Sequence, residues 1–187
     1  MATTNDPLAL STNELNERAA KIRLVLTDVD GVLTDGGVFY GSEGEVMKRF
    51  NIRDGMGVER LRDIGVEVGI ITGEQSESVV KRAEKLRIEL VHLYSKDKKA
   101  TLEEILAKHE YEAEQIAYIG DDVNDIEIMK MVGLAASPAD GFHETREAAA
   151  FVCRRPGGHG AFRELCELII EAKKEAETAE RKTFGFA

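Results

Sequence analysis

A chain of 187 residues with 35 acidic and 25 basic side chains, net charge -10, has room for one domain with a sizeable core and none for a second full domain. That charge argues against nucleic acid and anionic membrane as partners, and no apolar run approaches membrane-spanning length. Cys153 and Cys166 form no zinc spacing or disulfide framework and read as inert buried thiols; the polar, acidic start Met1-Ala-Thr-Thr-Asn-Asp6 is unlike a signal peptide, so a cytoplasmic protein is expected.

Residues 1–12 read as a loose tail, and Asn13–Ala20 as a short helix with Leu15 and Ala19 on one face. The main domain is expected over 21–173. Its first core strand is Ile22–Thr27. Val38-Phe-Tyr40 and Val46–Phe50 flank Gly41-Ser-Glu-Gly44 and predict a β-hairpin insertion at about 37–50. A helix over Gly55–Asp63, a strand over Val66–Ile71 and a helix over Gln75–Leu86 follow, then a strand over Leu90–Leu93. Lys98–His109 is a helix with Leu102, Ile105 and Leu106 on one face. Ile116–Ile119 is a strand, Asn124–Met131 a helix, and Leu134–Ala136 and Ala148–Cys153 are strands. Over Ala161–Lys173, Phe162, Leu165, Cys166, Ile169 and Ile170 have the spacing of one helical face. Residues 174–187 read as a charged helical extension and tail. Alternating strands and helices predict an α/β class protein with a mainly parallel, doubly wound sheet.

The strand ends carry the chemistry. Asp28 and Asp30 follow the first strand two residues apart and start on one side of it. Two anions forced together need a cation or a proton between them, and oxygen-only ligands suit Mg²⁺. Taken alone, the segment also fits an N-cap followed by a turn aspartate. Later strand ends add Thr72-Gly73, then Lys98 after Leu90–Leu93, then Gly120-Asp121-Asp122-Val-Asn124-Asp125. Ligands of open α/β sheets bind outside the carboxyl ends of the strands. An acid pair, a hydroxyl, a lysine and an acid cluster at that edge are the equipment for phosphoryl transfer through a carboxylate nucleophile.

In this order, Asp28-Val-Asp30-Gly31-Val-Leu-Thr34-Asp35-Gly36, the strand-end Thr-Gly, the lysine and Gly-Asp-Asp resemble the haloacid dehalogenase-type phosphatases. Asn51-Ile52-Arg53-Asp54-Gly55 and Gly157-Gly-His159-Gly160 narrow the resemblance to the 3-deoxy-D-manno-octulosonate 8-phosphate phosphatase family. It covers roughly residues 20–172. The resemblance implies a Rossmann-like fold in which the hairpin stands where many relatives carry a cap domain. It implies a sugar acid phosphate as substrate in lipopolysaccharide biosynthesis, Mg²⁺ as cofactor and a homotetramer. The self-association agrees with a hairpin too small to be an independent cap that still carries Phe39, Tyr40 and Phe50. The aromatic tail Phe184-Gly185-Phe186 is a further candidate for that interface.

Within this resemblance Asp28 is the nucleophile and Asp30 the general acid and base. Asp28, Asp121 and the backbone carbonyl of Asp30 hold the metal. Thr72 and the amide of Gly73 hold phosphate oxygens, and Lys98, at the head of its helix, neutralises the transferring charge. Lys96 and Lys99 read as solvated. Asp125, one helical turn past Asp121, is placed to orient Lys98 or a water, while Asp122 and Asn124 support the site or cap the next helix. Asn51, Ile52, Arg53, Asp54 and Gly55 match the family's substrate-facing segment, and Arg82 matches another family arginine or forms a surface ion pair. Gly157–Gly160 is a flexible turn leading into the last helix, with Arg163 just beyond.

The chain departs from the family pattern at Glu74, where an arginine is usual, and Glu59 stands where some members carry one. Glu74 with Lys85 looks more like relatives acting on nonulosonate (sialic-acid-like) 9-phosphates, which stands as the alternative substrate. An alternative of another class is a non-catalytic oligomerisation module. The complete set of Asp30, Lys98 and Asp121 argues against it.

Overall fold

The protein is described by a computed structural model that covers residues 11–184; the expectations for residues 1–10 and for the end of the aromatic tail lie outside the described residues. Six strands form a parallel sheet in the order β5-β4-β1-β6-β7-β8. They are β1 (Leu24–Thr27), β4 (Glu67–Ile71), β5 (Leu90–His92), β6 (Ile116–Ile119), β7 (Leu134–Ser137) and β8 (Phe151–Val152). From β1 the chain winds outward through β4 and β5, then returns to the other side of β1 for β6, β7 and β8. This reversal makes the carboxyl ends of β1 and β6 a topological switch point. Register aligns Thr27 with both Ile70 and Ile119, so Asp28, Thr72 and Gly120-Asp121 leave the sheet at one edge.

Alternation along the central strand sets two layers. Val25 joins the core beneath α1 (Thr12–Lys21), α2 (Ile52–Arg62), α3 (Glu77–Leu86) and α7 (Ala161–Phe184), where Leu61, Val79, Phe162, Leu165 and Ile169 pack. Leu24 and Leu26 face the opposite core, shared with Leu102 and Ile105 of α4 (Lys98–Lys108) and Ile128 and Met129 of α5 (Ile126–Met129). Both faces are thus covered, as a parallel sheet requires.

The first helix starts with Ser11, whose hydroxyl accepts from Glu14 N while the Glu14 carboxylate accepts from Ser11 N. The last runs unbroken from Ala161 to Phe184. Between β1 and α2 stands the antiparallel hairpin β2 (Val38–Gly41) and β3 (Gly44–Lys48), a separate two-stranded sheet.

Three elements differ from the sequence expectation. α2 begins at Ile52, not Gly55, because Asn51 Oδ1 accepts from Arg53 N and starts the helix early. Glycines 55 and 57 hide this start from a periodicity argument. Gly57 is needed for packing: a Cβ there would lie 2.9 Å from Cys166 Sγ on α7. The helix expected over 124–131 is a 3₁₀ turn at Val123–Asp125 followed by only four α-helical residues. The Asp125 carboxylate turns back to accept from Asp121 N and Asp122 N, which tightens the turn. Finally, helix α6 (His143–Ala148) occupies the approach to the last strand, which shrinks to Phe151–Val152. This helix buries only Thr145 and so has no apolar stripe to announce it.

Candidate active site

Asp28 sits one residue past β1, its backbone N–H donating to Ile119 O at 3.0 Å and so continuing the ladder. Its side chain is buried. Oδ1 accepts from Val29 N at 2.7 Å and Oδ2 pairs with Lys98 Nζ at 2.9 Å. Gly31 turns the chain with φ +82°, and a Cβ there would lie 2.0 Å from Asp121 Oδ2. Only glycine lets the acid loop after β1 and the acid loop after β6 approach so closely.

Beneath these two acids lies a charged layer with no exposed member. Lys98 is held between Asp28 and Asp125, whose Oδ1 is 2.5 Å away. Tyr118 OH donates to the same Asp125 oxygen at 2.5 Å. With Oδ2 accepting two backbone N–H groups, every oxygen of Asp125 is engaged. Burial alone would lower the Lys98 pKa, but Asp28 and Asp125 outweigh it and hold Lys98 above its ordinary value. Burial drives Tyr118 far upward, and the neighbouring carboxylates add to it.

The acids themselves are under strain of charge. Burial pushes Asp28 up to about 6, opposed by Lys98 and reinforced by Asp125. Asp121 is pushed to about 8, first by burial and then by Asp28 and Asp125. Asp121 Oδ1 is buried and has no hydrogen-bond partner. Oxygen atoms of Asp28, Asp121 and Asp125 lie within 4.8 Å of one another. An orphaned carboxylate oxygen, two raised acids and an all-oxygen donor set fit a divalent cation. Each oxygen of Asp125 already takes two donors, whereas each oxygen of Asp28 takes one and Asp121 Oδ1 takes none, so the side chains with lone pairs left for the ion are Asp28 and Asp121.

Around this centre runs a cleft of about 470 Å³ lined by Asp28, Asp30, Gly31, Gly36, Thr72, Gly73, Glu74, Asp121, Asp122, Val123 and Asn124. Thr72 is buried; its hydroxyl accepts from Glu74 N at 3.3 Å and keeps its hydrogen for another acceptor. Glu74 is exposed, 3.4 Å from Lys96 Nζ. Asp122 Oδ1 accepts from Val123 N at 2.7 Å and caps the 3₁₀ turn, while Asn124 is exposed at the rim.

The remaining candidates lie beside the cleft, not on its wall. Ile52 and Arg53 are exposed on the first turn of α2. Asn51 Nδ2 donates to Gly158 O at 2.9 Å, tying this turn to the glycine loop before α7. Asp54 is buried against the start of α7, accepting from Arg163 N at 2.9 Å, and burial raises its pKa. Gly55 gives room to Arg82, which donates to Asn51 O at 2.9 Å and stacks 5.6 Å from the Phe50 ring centre. Arg163 pairs with Glu167 at 2.5 Å.

Sequence reasoning missed Lys48. It leaves the foot of the hairpin and places Nζ 2.6 Å from Asp30 Oδ1 and 3.3 Å from Glu45 Oε2. Its one local signal is a basic residue at the base of an exposed hairpin, just before Phe50-Asn51. Tyr118 was read only as a strand residue.

A haloacid dehalogenase-like hydrolase family model matches residues 80–165. The 3-deoxy-D-manno-octulosonate 8-phosphate phosphatase KdsC of Yersinia pestis is 42% identical over 169 residues, 89% of each chain. The crystal structure of the same-named phosphatase from Moraxella catarrhalis, in complex with magnesium, phosphate and KDO, is 37% identical and superposes with a TM-score of 0.85 over 93% of this chain and 99% of that one. The cobalt-bound deoxy-D-mannose-octulosonate 8-phosphate phosphatase of Haemophilus influenzae is 36% identical, with a TM-score of 0.82 over 84% of this chain and 92% of that one. Likeness of this extent, in sequence and in fold, makes the protein a phosphatase: the chain belongs to the 3-deoxy-D-manno-octulosonate 8-phosphate phosphatase family of haloacid dehalogenase-like hydrolases.

Proposed function

We propose that this chain is a Mg²⁺-dependent phosphomonoesterase that hydrolyses a 3-deoxy-2-keto sugar acid phosphate of the 3-deoxy-D-manno-octulosonate 8-phosphate class through an aspartyl phosphate on Asp28. The observation that carries the reading is the buried Asp28 carboxylate, paired with Lys98 beside the unpartnered Asp121 oxygen. A carboxylate oxygen of Asp28 attacks phosphorus as the bond from phosphorus to the sugar oxygen breaks. Asp30 gives that leaving oxygen its proton. Asp30 then takes a proton from water, whose oxygen attacks the same phosphorus, and breakage of the bond to Asp28 releases inorganic phosphate. Thr72 Oγ1 and Gly73 N hold phosphate oxygens during both transfers. When bound, Mg²⁺ supplies positive charge that offsets Asp28 and the phosphate together. Asp28, Asp121 and the Asp30 backbone carbonyl would hold it.

Chelation is expected to remove p-nitrophenyl phosphatase activity, and Mg²⁺ to restore it. Ca²⁺ should bind without supporting turnover, since its larger, looser shell misplaces the phosphate. A binding readout accompanies this: saturation at about 100 times Kd should stabilise the fold by about 2.7 kcal/mol in denaturant titrations. Full activity in excess chelator, with metal absence confirmed by elemental analysis, would rule the reading out.

Substrate choice centres on Glu74, which lines the cleft at the position where the family usually has an arginine. A glutamate repels a sugar carboxylate but accepts from sugar hydroxyl or amide groups. Glu74→Ala should lower kcat/KM for the natural sugar phosphate by about tenfold, roughly 1.4 kcal/mol, and barely change p-nitrophenyl phosphate hydrolysis. Equal losses would place Glu74 in the chemistry; no loss would make it a surface residue. Assaying eight-carbon and nine-carbon sugar acid phosphates side by side decides between the two substrate readings.

The hairpin is proposed to pack against neighbouring subunits of a homotetramer. Val38, Phe39, Tyr40, Val46 and Met47 are all exposed on it, with Tyr40 at 74%. Apolar exposure of this kind is characteristic of an interaction surface. Light scattering at micromolar concentration should return a multiple of the chain mass. An active monomer would contradict the assembly.

A further inference from the structure

We infer that Lys48 of the hairpin is a positioning residue for Asp30: it holds one carboxyl oxygen so that the other faces the departing sugar oxygen. The hairpin thereby belongs to the catalytic apparatus as well as to a contact surface.

Lys48 is anomalous where it stands. Lys48 is 8% exposed, whereas Val46 and Met47 before it are 59% and 53% exposed. A hairpin that leaves apolar residues in water while burying an ammonium reverses the usual preference. The reversal is stabilised by two carboxylates, Asp30 at 2.6 Å and Glu45 at 3.3 Å. Burial alone would lower the Lys48 pKa, and these two partners hold it above its ordinary value.

The partition of the Asp30 oxygens follows. Oδ1 accepts from Lys48 Nζ and also from Thr34 Oγ1 at 3.4 Å. Among the described residues, no donor reaches Oδ2. Asp30 lines the cleft, so its engaged oxygen points to the hairpin and the other is left for substrate. Glu45 extends the support by accepting from Ser76 Oγ, just beyond the Thr72-Gly73 loop. The foot of the hairpin therefore joins the acid loop to the loop proposed to hold phosphate. A proton donor misplaced by about 1 Å loses much of its effect, and a rigid supporting contact guards against that.

The inference rests on the reading of Asp30 as the general acid, and its test separates the two. A sugar alkoxide is a poor leaving group and needs a proton as its bond to phosphorus breaks; p-nitrophenolate does not. kcat/KM reports steps only through that first bond cleavage, so the later hydrolysis of the aspartyl phosphate does not enter. Lys48→Met should lower kcat/KM for 3-deoxy-D-manno-octulosonate 8-phosphate by about 10²-fold, the low end of general acid contributions. The loss on p-nitrophenyl phosphate should be at least about tenfold smaller. Asp30→Asn, measured in parallel, should show the same selectivity, and adding Lys48→Met to Asp30→Asn should not increase it. If Lys48→Met does not fold, Lys48→Gln, whose amide refills the buried site with a shorter donor, carries the same comparison and the same expectation. A selective Asp30→Asn beside a folded Lys48 variant with equal losses on both substrates, or none, overturns the inference and leaves the Asp30 assignment standing. An unselective Asp30→Asn overturns the assignment and the inference with it.

Discussion

Asp28→Asn is expected to reduce phosphate release by on the order of 10⁶-fold, the scale of deleting an enzymatic nucleophile. An amide oxygen cannot form the acyl phosphate, and no other described carboxylate occupies its place against Lys98 except Asp125, whose oxygens are fully engaged. The fold should survive. Asparagine is nearly isosteric, Lys98 keeps Asp125, and a buried charge is removed. The sign of the pH dependence provides an independent check. Burial raises Asp28 to about 6 in the folded protein, above its ordinary value. The folded state thus holds this proton more tightly than the unfolded chain does. The ionised carboxylate consequently costs stability as pH rises from about 4 through 6. In chelator, wild-type thermal midpoints should fall over that window more steeply than those of Asp28→Asn. Near-wild-type turnover by Asp28→Asn would sink the covalent mechanism.

Lys98→Met should be the most damaging change to the fold among the site residues. It strands Asp28 Oδ2 and Asp125 Oδ1, both buried, without their cation. Breaking a buried pair by removing one partner costs about 3–5 kcal/mol, far more than the pair itself adds over an apolar pair. Activity should fall by roughly 10³-fold through loss of charge stabilisation at the transferring phosphate. Lys98 is held above its ordinary pKa, so in the wild type its contribution is fully present below the unfolded value and is lost only at strongly basic pH. The deficit of Lys98→Met should therefore widen as pH rises through the carboxylate range, where stranded acids ionise, and shrink in acid. Urea titrations at pH 5 and pH 8 measure this. A midpoint unchanged from wild type at both would show that Lys98 does not hold the acids together.

Much of this molecule was legible in one dimension because the features concerned are local or periodic. Strand Ile116–Ile119 and helix Lys98–Lys108 declare themselves through apolar spacing that the sheet and its cover must bury. The gathering of Asp28, Thr72 and Asp121 at one edge follows from topology alone, since parallel strands end on the same side. Asp125 was read as a partner of Lys98 or of a water from a helical step beyond Asp121; it meets Lys98 from a 3₁₀ turn instead. The two hairpin strands showed through their glycine turn.

What sequence by itself determined, then, is the succession of parallel strands and the acid, hydroxyl and lysine residues presented where they end. Burial patterns and turn chemistry are written into neighbouring residues. What only the tertiary structure decided is how distant side chains share those groups. Lys48 on Asp30, Tyr118 on Asp125 and Asp54 turned into the start of α7 depend on hairpin docking, strand register and helix packing. Each is a contact set by where two separate elements come to rest. The desolvation that raises Asp28 and Asp121 exists only once the whole core has closed around them.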